Sequence, residues 1–289
     1  MQTINTLKAL REAVDDLRRT GGRVALVPTM GALHEGHVSL VREAQRQADH
    51  VVVSIFVNPR QFGPKEDLAA YPRTLAADQE KLAAAGVALL WAPGVDEMYP
   101  QGFATSVSVD RLTDGLCGAV RPGHFTGVAT VVLKLFNQVR PDVAVFGEKD
   151  WQQLAVIRRF AQDLNLTLPC VENIIGAPIV READGLAMSS RNAYLSTAQR
   201  QVAGQLNRLM ARAVAYIEAG EAVGPVLAGL EYEIITAGFS SVDYAVLADA
   251  ASLAPLDAAP QGPARLLVAA RLGKTRLIDN MPVQGRNAA

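Results

Sequence analysis

The sequence predicts an α/β fold, in which a doubly wound parallel sheet is followed by a smaller C-terminal α+β domain. Short apolar runs alternate with segments of helical periodicity through the first half of the chain, and this alternation is typical of βαβ units. The run Val51–Val57 is apolar apart from Ser54, as expected for a parallel strand covered on both faces. Polar segments follow several of these runs, at the strand ends where ligands bind in such sheets.

The elements of the first half follow from apolar spacing and from the residues that stop a helix. Leu7, Leu10, Val14 and Leu17 have the spacing of one helix face, and Gly21–Gly22 ends that helix. Two strands with a helix between them then form a right-handed βαβ unit. The later predicted elements are a strand at 24–27, a helix at 37–48, strands at 51–57 and 87–91, helices at 75–85 and 126–139, a strand at 143–146, a helix ending near 164 and a short strand at 168–171.

The pattern changes after about Ile175, so the sequence predicts one domain at 1–176 and a second at 177–289. Ser196 and Gln199 form a capping box before a long helix at 197–219, which Gly220 ends. A second helix is predicted at 223–237. Strand-like runs follow at 242–248, 265–270 and 275–278.

The composition excludes several classes of protein. The chain has 289 residues and a formal net charge of −1, which gives no basic face for wrapping nucleic acid. The N-terminus shows no signal peptide, and no apolar run is long enough to span a bilayer. The two cysteines, Cys117 and Cys170, have no metal-ligand spacing. We therefore expect a cytoplasmic protein without a membrane or nucleic-acid partner.

The stretch Val24–His37 reads VALVPTMGALHEGH and predicts a strand, a glycine turn and the start of a helix. Helix N-termini expose unpaired N–H groups and bind anions. His34 and His37 lie three residues apart, so both imidazoles can reach one phosphate. The plain alternative is a pair of turn histidines with satisfied hydrogen bonds. Since two of only four histidines stand in this turn, we favour phosphate binding over that alternative and over a metal site.

Three further polar segments carry side chains suited to an acid or to phosphate. Asn58–Phe62 (NPRQF) contains Gln61, whose amide both donates and accepts hydrogen bonds. Gly147–Gln153 (GEKDWQQ) places Lys149 between a strand and a helix start. Met188–Arg191 (MSSR) offers two hydroxyls and a guanidinium. Their plain alternatives are a strand exit, a helix cap and a loop, respectively.

Together, PTMGALHEGH, NPRQF, GEKDWQQ and MSSR resemble the signatures of the pantoate–β-alanine ligases, within the H-x-G-H nucleotidyltransferase-like superfamily. The resemblance is dense over about residues 1–195 and looser beyond. It implies a Rossmann-like domain at 1–176 that binds nucleotide and pantoate, and a domain at 177–289 that closes over ATP. It also implies ATP-dependent ligation of (R)-pantoate and β-alanine to pantothenate, AMP and diphosphate through pantoyl adenylate.

The resemblance also implies the roles of individual residues. The residue at the position of His37 is the family's proton donor, and His34 and Lys149 are the other two implied catalytic residues. Gln61 and Gln153 bind pantoate, and Gln61 also binds β-alanine. Trp151 stands where another aromatic residue is common, a mild departure that leaves the catalytic residues unaffected. The implied ATP-binding residues are Met30, Gly31, Ala32, Leu33, His34, Glu35, Gly36, His37, Gly147, Glu148, Lys149, Asp150, Val180, Met188, Ser189, Ser190 and Arg191.

Two residues have weaker assignments. Asp78 lies on a predicted helix and can approach Mg²⁺, with a solvated surface carboxylate as the favoured alternative. The Mg²⁺ itself is expected chiefly on the ATP phosphates. His124, in the family-like string RPGHF, is expected to be a structural loop residue. The family also implies a homodimer.

Other functions remain open alternatives at the level of sequence. One is another H-x-G-H nucleotidylyltransferase that acts on a small acid or phosphate ester, although the glutamines of NPRQF and KDWQQ suit a small acid that is ligated. A relative of the aminoacyl-tRNA synthetases is disfavoured by the near-neutral charge. A nucleotide-sensing module without turnover is the third. Incubating the protein with ATP, Mg²⁺, pantoate and β-alanine and looking for AMP distinguishes the ligase from all three alternatives.

Overall fold

The computed structural model describes residues 1–19, 21–64 and 66–285. The chain divides into two compact units. The first comprises Met1–Glu148 and Gln153–Pro178, and the second comprises Lys149–Gln152 and the chain from Ile179 onward. The short segment Lys149–Gln152 therefore groups with the second unit, although its neighbours in sequence on both sides belong to the first.

The first unit is built on a six-stranded sheet in which every pair of neighbours is parallel, in the order β1-β4-β3-β2-β5-β6. Residues 24–27, 51–54 and 143–146 of its central strands are buried, as expected for largely apolar strands covered on both faces. The strands are Gln2–Ile4 (β1), Val24–Thr29 (β2), His50–Ile55 (β3), Leu89–Trp91 (β4), Val143–Gly147 (β5) and Ile174–Ala177 (β6).

Helices connect these strands, as parallel pairing requires. The longest, His124–Val139, buries most of its side chains. The helices are Leu7–Arg18 (α1), Glu35–Gln47 (α2), Leu75–Ala84 (α3), Val95–Met98 (α4), Leu116–Val120 (α5), His124–Val139 (α6) and Trp151–Asp163 (α7).

The order of the strands reverses between β2 and β5. From β2 the sheet grows through β3 and β4 in one direction, and through β5 and β6 in the other. In open α/β sheets such a switch point leaves a crevice at the carboxyl ends of the strands, where ligands bind. The segments that follow β2, β3 and β5 are three of those with predicted chemistry.

The second unit contains an antiparallel sheet covered by helices. The sheet has the order β7-β8-β9, and its apolar side chains form one buried cluster with those of the helices. The elements are the helices Thr197–Ala203 (α8), Gln205–Ala219 (α9) and Val223–Thr236 (α10), and the strands Ser241–Asp249 (β7), Ala264–Leu272 (β8) and Thr275–Val283 (β9).

Several sequence predictions are wrong in detail. The strand predicted at 168–171 is absent there, and β6 lies at Ile174–Ala177 instead. Strand β1 was not predicted, because three residues are too few to show a period. The helix predicted at 197–219 is two helices separated at Gly204, where a Cβ would clash with the carboxylate of Asp184. Among the described residues, no helix is long and apolar enough to cross a membrane.

Candidate active site

The turn after β2 has a constrained backbone. Gly31 has a φ of +85° and Ala32 a φ of +51°, so two consecutive residues lie in the left-handed region. For alanine this conformation costs on the order of 1 kcal/mol or more, and it persists only where surrounding contacts fix it. A Cβ at Gly31 would also lie 3.2 Å from both Asp78 and Ile55. The turn therefore requires an external anchor.

Helix α3 provides that anchor. The carboxylate of Asp78 accepts the N–H of Ala32 at 2.9 Å and that of Leu33 at 2.8 Å, and the residue is 0% exposed. Lys81, three residues further on the same helix face, donates to the Leu33 carbonyl at 2.6 Å. The favoured alternative of a solvated surface carboxylate for Asp78 is therefore wrong. Its contact with Mg²⁺ stays a prediction, and it requires these oxygens to serve a metal ion in addition to two N–H groups.

The two histidines lie side by side at the start of α2. His34 is the N-cap residue, with an extended backbone, and its N–H donates to Nδ1 of His37 at 3.3 Å. The ring centroids are 4.1 Å apart. Because Nδ1 of His37 accepts this hydrogen bond, the proton of its neutral ring belongs on Nε2. His37 thus presents an N–H donor beside the N–H groups of a helix N-terminus, which is an arrangement suited to anions.

The segment that follows β3 is linked to this turn. Gln61 is 8% exposed, and its side-chain amide donates to the sulfur of Met30 at 3.0 Å. The carbonyl oxygen of the same amide accepts from Asn58 Nδ2 at 3.0 Å. The structure therefore brings together Met30 and Gln61, which were predicted from separate motifs.

Tyr99 fixes Asn58 in turn. Its hydroxyl donates to Asn58 Oδ1 at 2.9 Å. Burial raises the pKa of Tyr99 to about 12, despite the opposing effect of the nearby Arg60 cation, so the phenol stays protonated at neutral pH. Arg60 and Lys134 both lie over the ring of Tyr99, and burial lowers the pKa of Lys134. Two cations consequently lie next to the predicted site for a carboxylate substrate.

The RPGHF segment supports Gln61 from the other side. Nδ1 of His124 lies 2.8 Å from the Gln61 carbonyl and must donate to it, so Nε2 accepts from Arg121 at 3.0 Å. Both oxygens of Glu66 accept from Arg121 at 2.6 Å. His124 is a structural residue, as expected, but it begins helix α6 rather than lying in a loop. The hydrogen bonds that run from Glu66 through Arg121 and His124 thus hold the backbone carbonyl of Gln61, a predicted substrate-binding residue.

The remaining predicted site residues of the first unit lie at and after the end of β5. Gly147 is the last residue of β5, and a Cβ there would meet only Leu40, at 3.9 Å. The side chain of Glu148 lies against Gly176 of β6. Gln153 lies half-buried on α7. The backbone at Gly147 therefore leaves room for a close approach by a ligand.

In the second unit, Lys149 lies in the Glu148–Asp150 turn, with its ammonium 3.7 Å from the Asp150 carboxylate. Its carbonyl accepts from Asn280 Nδ2 at 3.0 Å. Both side chains are partly exposed, so the ammonium is accessible from solvent.

The MSSR segment lies in the same unit. The N–H of Met188 donates to the Val180 carbonyl at 3.0 Å, which closes a short hairpin. Ser189 then caps the turn Ser190–Tyr194 by accepting the N–H of Arg191 at 3.3 Å. These predicted ATP-binding residues form one continuous loop whose hydroxyls and guanidinium are partly exposed.

Comparison with known proteins identifies the family. A family model described as pantoate-beta-alanine ligase matches residues 2–282. The chain is 65% identical over 283 residues to the pantothenate synthetase of Novosphingobium aromaticivorans, covering 98% of this chain and 99% of that protein. The chain belongs to the pantoate–β-alanine ligase family. The prediction of this family and of a ligase is confirmed.

Solved structures agree with the fold. The chain is similar to the crystal structure of the Thermus thermophilus pantothenate synthetase, with 48% identity, a TM-score of 0.90 and coverage of 97% of this chain and 99% of that one. It is also similar to the Francisella tularensis pantoate–β-alanine ligase complexed with beta-gamma ATP and β-alanine, with 32% identity, a TM-score of 0.81 and 97% coverage of both chains. The predicted α/β fold with a smaller C-terminal domain is confirmed.

Sequence reasoning assigned no role to several residues that hold predicted site residues within each unit. Asn58 and Tyr99 hold Gln61, yet nothing in their local sequence shows that they meet. Asp279 and Asn280 are buried in β9, whose apolar alternation they interrupt. The interruption was a usable signal, because polar residues are buried only where they have partners.

Proposed function

We propose that this member of the pantoate–β-alanine ligase family forms pantothenate from pantoate, β-alanine and ATP through a pantoyl-adenylate intermediate. The observation that carries the proposal is the pair His34 and His37 at the N-terminus of α2, beyond a switch point of the sheet. A helix N-terminus with a donor imidazole stabilises negative charge on a phosphate.

In the proposed first step, the pantoate carboxylate attacks the α-phosphorus of ATP, and diphosphate leaves. The imidazoles of His34 and His37 and the ammonium of Lys149 stabilise the charge that builds on the phosphate oxygens. Gln61 and Gln153 hold pantoate in line for attack, and this positioning lowers the barrier further. The amide of Gln61 is already oriented by Asn58, so little freedom is lost when substrate binds.

In the proposed second step, the amine of β-alanine attacks the carbonyl carbon of pantoyl adenylate. The bond between that carbon and the bridging oxygen breaks, and AMP leaves with the oxygen. Gln61 binds β-alanine next to the activated carbonyl. The residues from Met30 to His37, from Gly147 to Asp150 and from Met188 to Arg191, together with Val180, bind the nucleotide. No covalent intermediate with the enzyme is needed, because the phosphate already activates the carboxyl group.

The metal, assembly and location are proposed on the family resemblance. Among the described residues, no three or more His, Cys, Asp or Glu are grouped to hold a metal ion. We therefore place Mg²⁺ on the phosphates of ATP, where it neutralises their charge. A homodimer in the cytoplasm is also proposed, and both cysteines are free thiols, as suits a reducing compartment.

The order of the two steps can be tested without β-alanine. Enzyme with ATP, Mg²⁺ and pantoate alone should exchange labelled diphosphate into ATP, because the carboxylate is itself the nucleophile. Gln153→Ala should weaken pantoate binding while ATP binding persists. A kinase-like route through pantoyl phosphate would release ADP instead, and stoichiometric ADP would overturn the adenylate mechanism.

Oxygen labelling tests the bond that breaks in the second step. With ¹⁸O in the pantoate carboxylate, one labelled oxygen should appear in AMP after β-alanine is added. AMP free of label would show that the carboxylate never joined the α-phosphate, and would contradict the proposal.

A further inference from the structure

Two adjacent polar residues interrupt the buried strand β9. Asp279 is 3% exposed and Asn280 is 2% exposed. Burying a charge or an amide costs free energy unless each is hydrogen-bonded, so the partners of these two side chains explain their presence.

Asn280 binds the backbone of Lys149. Its Nδ2 donates to the Lys149 carbonyl at 3.0 Å, and its Oδ1 accepts from the guanidinium of Arg265 on β8. One side chain thus links the sheet of the second unit to the main chain of a predicted phosphate-binding lysine.

Trp151 gives the same segment a second attachment. The guanidinium carbon of Arg265 lies 3.5 Å from the centre of the Trp151 ring, which is a close stacking contact. The indole N–H donates to the Ala250 carbonyl at 2.9 Å. These contacts, together with that of Asn280, explain why Lys149–Gln152 groups with the second unit.

Asp279 holds the other predicted ATP-binding segment of this unit. Its two oxygens accept from Arg181 at 2.6 and 2.9 Å in a bidentate pair. Arg181 also donates to the Gly185 carbonyl at 3.0 Å and pairs with Ala187 across the hairpin. This hairpin leads directly into Met188–Arg191.

We propose that Asp279 and Asn280 are positioning residues, which attach the two predicted phosphate-binding segments of the second unit, Lys149 and Met188–Arg191, to a single strand. The proposal rests on the proposed ATP-binding role of those segments. Neither Asp279 nor Asn280 needs to touch ATP. The strand sets the spacing of the two segments, so that they bind the nucleotide as one preformed set.

The variant Asn280→Asp tests the attachment of Lys149. The aspartate keeps an oxygen for Arg265 at nearly the same shape, but it replaces the N–H that faces the Lys149 carbonyl. We expect the KM for ATP to rise about tenfold, as for one lost hydrogen bond of roughly 1.4 kcal/mol, with little change in the KM for pantoate. Amide hydrogen exchange measured without ATP should become faster in the segment 149–153.

A matched pair of variants tests the attachment of the MSSR segment. Asp279→Asn should raise the KM for ATP and speed hydrogen exchange over 181–191. Asp243→Asn is the control, because Asp243 lies on β7 of the same sheet and also accepts from two arginines, Arg271 and Arg276, outside both segments. It should leave both readouts unchanged even where the unit loses stability.

Two results would overturn the proposal. One is an equal rise in the KM for ATP for Asp243→Asn and Asp279→Asn, which would mean general destabilisation. The other is unchanged exchange in both segments when Asn280 and Asp279 are replaced. A failure of the proposed function can be distinguished from a failure of this proposal. If Lys149 has no role in binding ATP, Lys149→Ala will have a normal kcat and a normal KM for ATP. If Lys149 acts as proposed, adding Asn280→Asp to Lys149→Ala should cost nothing further.

Discussion

Asp78 accepts the backbone N–H of Leu33 at 2.8 Å across 45 residues of sequence, and so ties helix α3 to the turn that precedes the two histidines. Asp78→Ala should leave two backbone donors without this partner. Each buried donor left unsatisfied costs on the order of 1–3 kcal/mol, so the free energy of unfolding should fall by that order. Urea denaturation measures it.

Activity should fall in the same variant, because the turn carries His34 and His37. Glu80→Ala, an exposed carboxylate on the same helix, is the control and should change neither stability nor kcat. A stable Asp78→Ala enzyme with normal kcat would show that the turn keeps its left-handed conformation without the carboxylate.

The tautomer of His37 leads to a prediction about which ring nitrogen matters. Its Nδ1 accepts from the His34 N–H, so Nε2 carries the ring N–H that we propose donates to the phosphate. Glutamine places its amide N–H near the position of Nε2, whereas asparagine reproduces only the atom near Nδ1. His37→Ala and His37→Asn should lower kcat by on the order of 10²–10³, as for loss of one preorganised donor, and His37→Gln should retain clearly more activity.

The control for this series is His50→Gln, since His50 begins β3 at the opposite end of the strands. All four proteins should remain folded, because neither His37 nor His50 belongs to the buried core. Equal activity of the glutamine and asparagine variants would contradict a role for the Nε2 donor, and a fully active His37→Ala would remove His37 from the catalytic set.

Most of the fold could be predicted, because the signals were long and local. The helix Leu7–Arg18 has a clear apolar period, and Val223–Thr236 ends one residue before its predicted end. Buried strands such as His50–Ile55 form continuous apolar runs. Predictions failed where a signal was short or depended on packing. Three residues at Gln2–Ile4 cannot show a period, and the break at Gly204 lies within a continuous helical pattern of the sequence.

The candidate site was less predictable, because its motifs are local while the groups that hold them are distant. Residues in glycine turns and at strand ends were found from the sequence. The helix that anchors the turn through Asp78, and the strand that anchors Lys149 through Asn280, are fixed by tertiary contacts across 45 and 131 residues. No spacing rule connects positions so far apart, although a polar pair in an apolar strand was a usable sign.

The ion pair of Glu66 and Arg121 predicts a dependence of stability on pH. Burial alone would raise the pKa of Glu66, but the hydrogen bonds and charge of Arg121 outweigh it and lower the pKa. A carboxyl group with a lower pKa in the folded state stabilises the fold above its unfolded pKa of about 4.3, and this contribution is lost as the pH falls through the folded value. Glu66→Gln should therefore be less stable than the parent at pH 7.

The difference in unfolding free energy between parent and Glu66→Gln should shrink as the pH is lowered from 6 toward 3, since both then carry a neutral side chain. Denaturation by urea at several pH values measures this. Glu172→Gln, an exposed carboxylate of the same unit, should follow the parent throughout. A difference that stays constant with pH would show that Glu66 acts through its shape rather than its charge.

The hydroxyl of Tyr99 offers a specific test of the proposed pantoate site, because it is linked to Gln61 through Asn58. Tyr99→Phe removes this donor and keeps the ring that lies under Arg60 and Lys134. Asn58 then loses one of its orienting hydrogen bonds, worth about 1 kcal/mol, so the KM for pantoate should rise roughly fivefold while the KM for ATP is unchanged. Tyr216→Phe, on the exposed face of α9, is the matched control and should alter neither constant. Steady-state kinetics with each substrate varied in turn separates the two constants. If Tyr99→Phe raised both KM values equally, the hydroxyl would be supporting the unit as a whole, and the assignment of Gln61 to pantoate would lose this support.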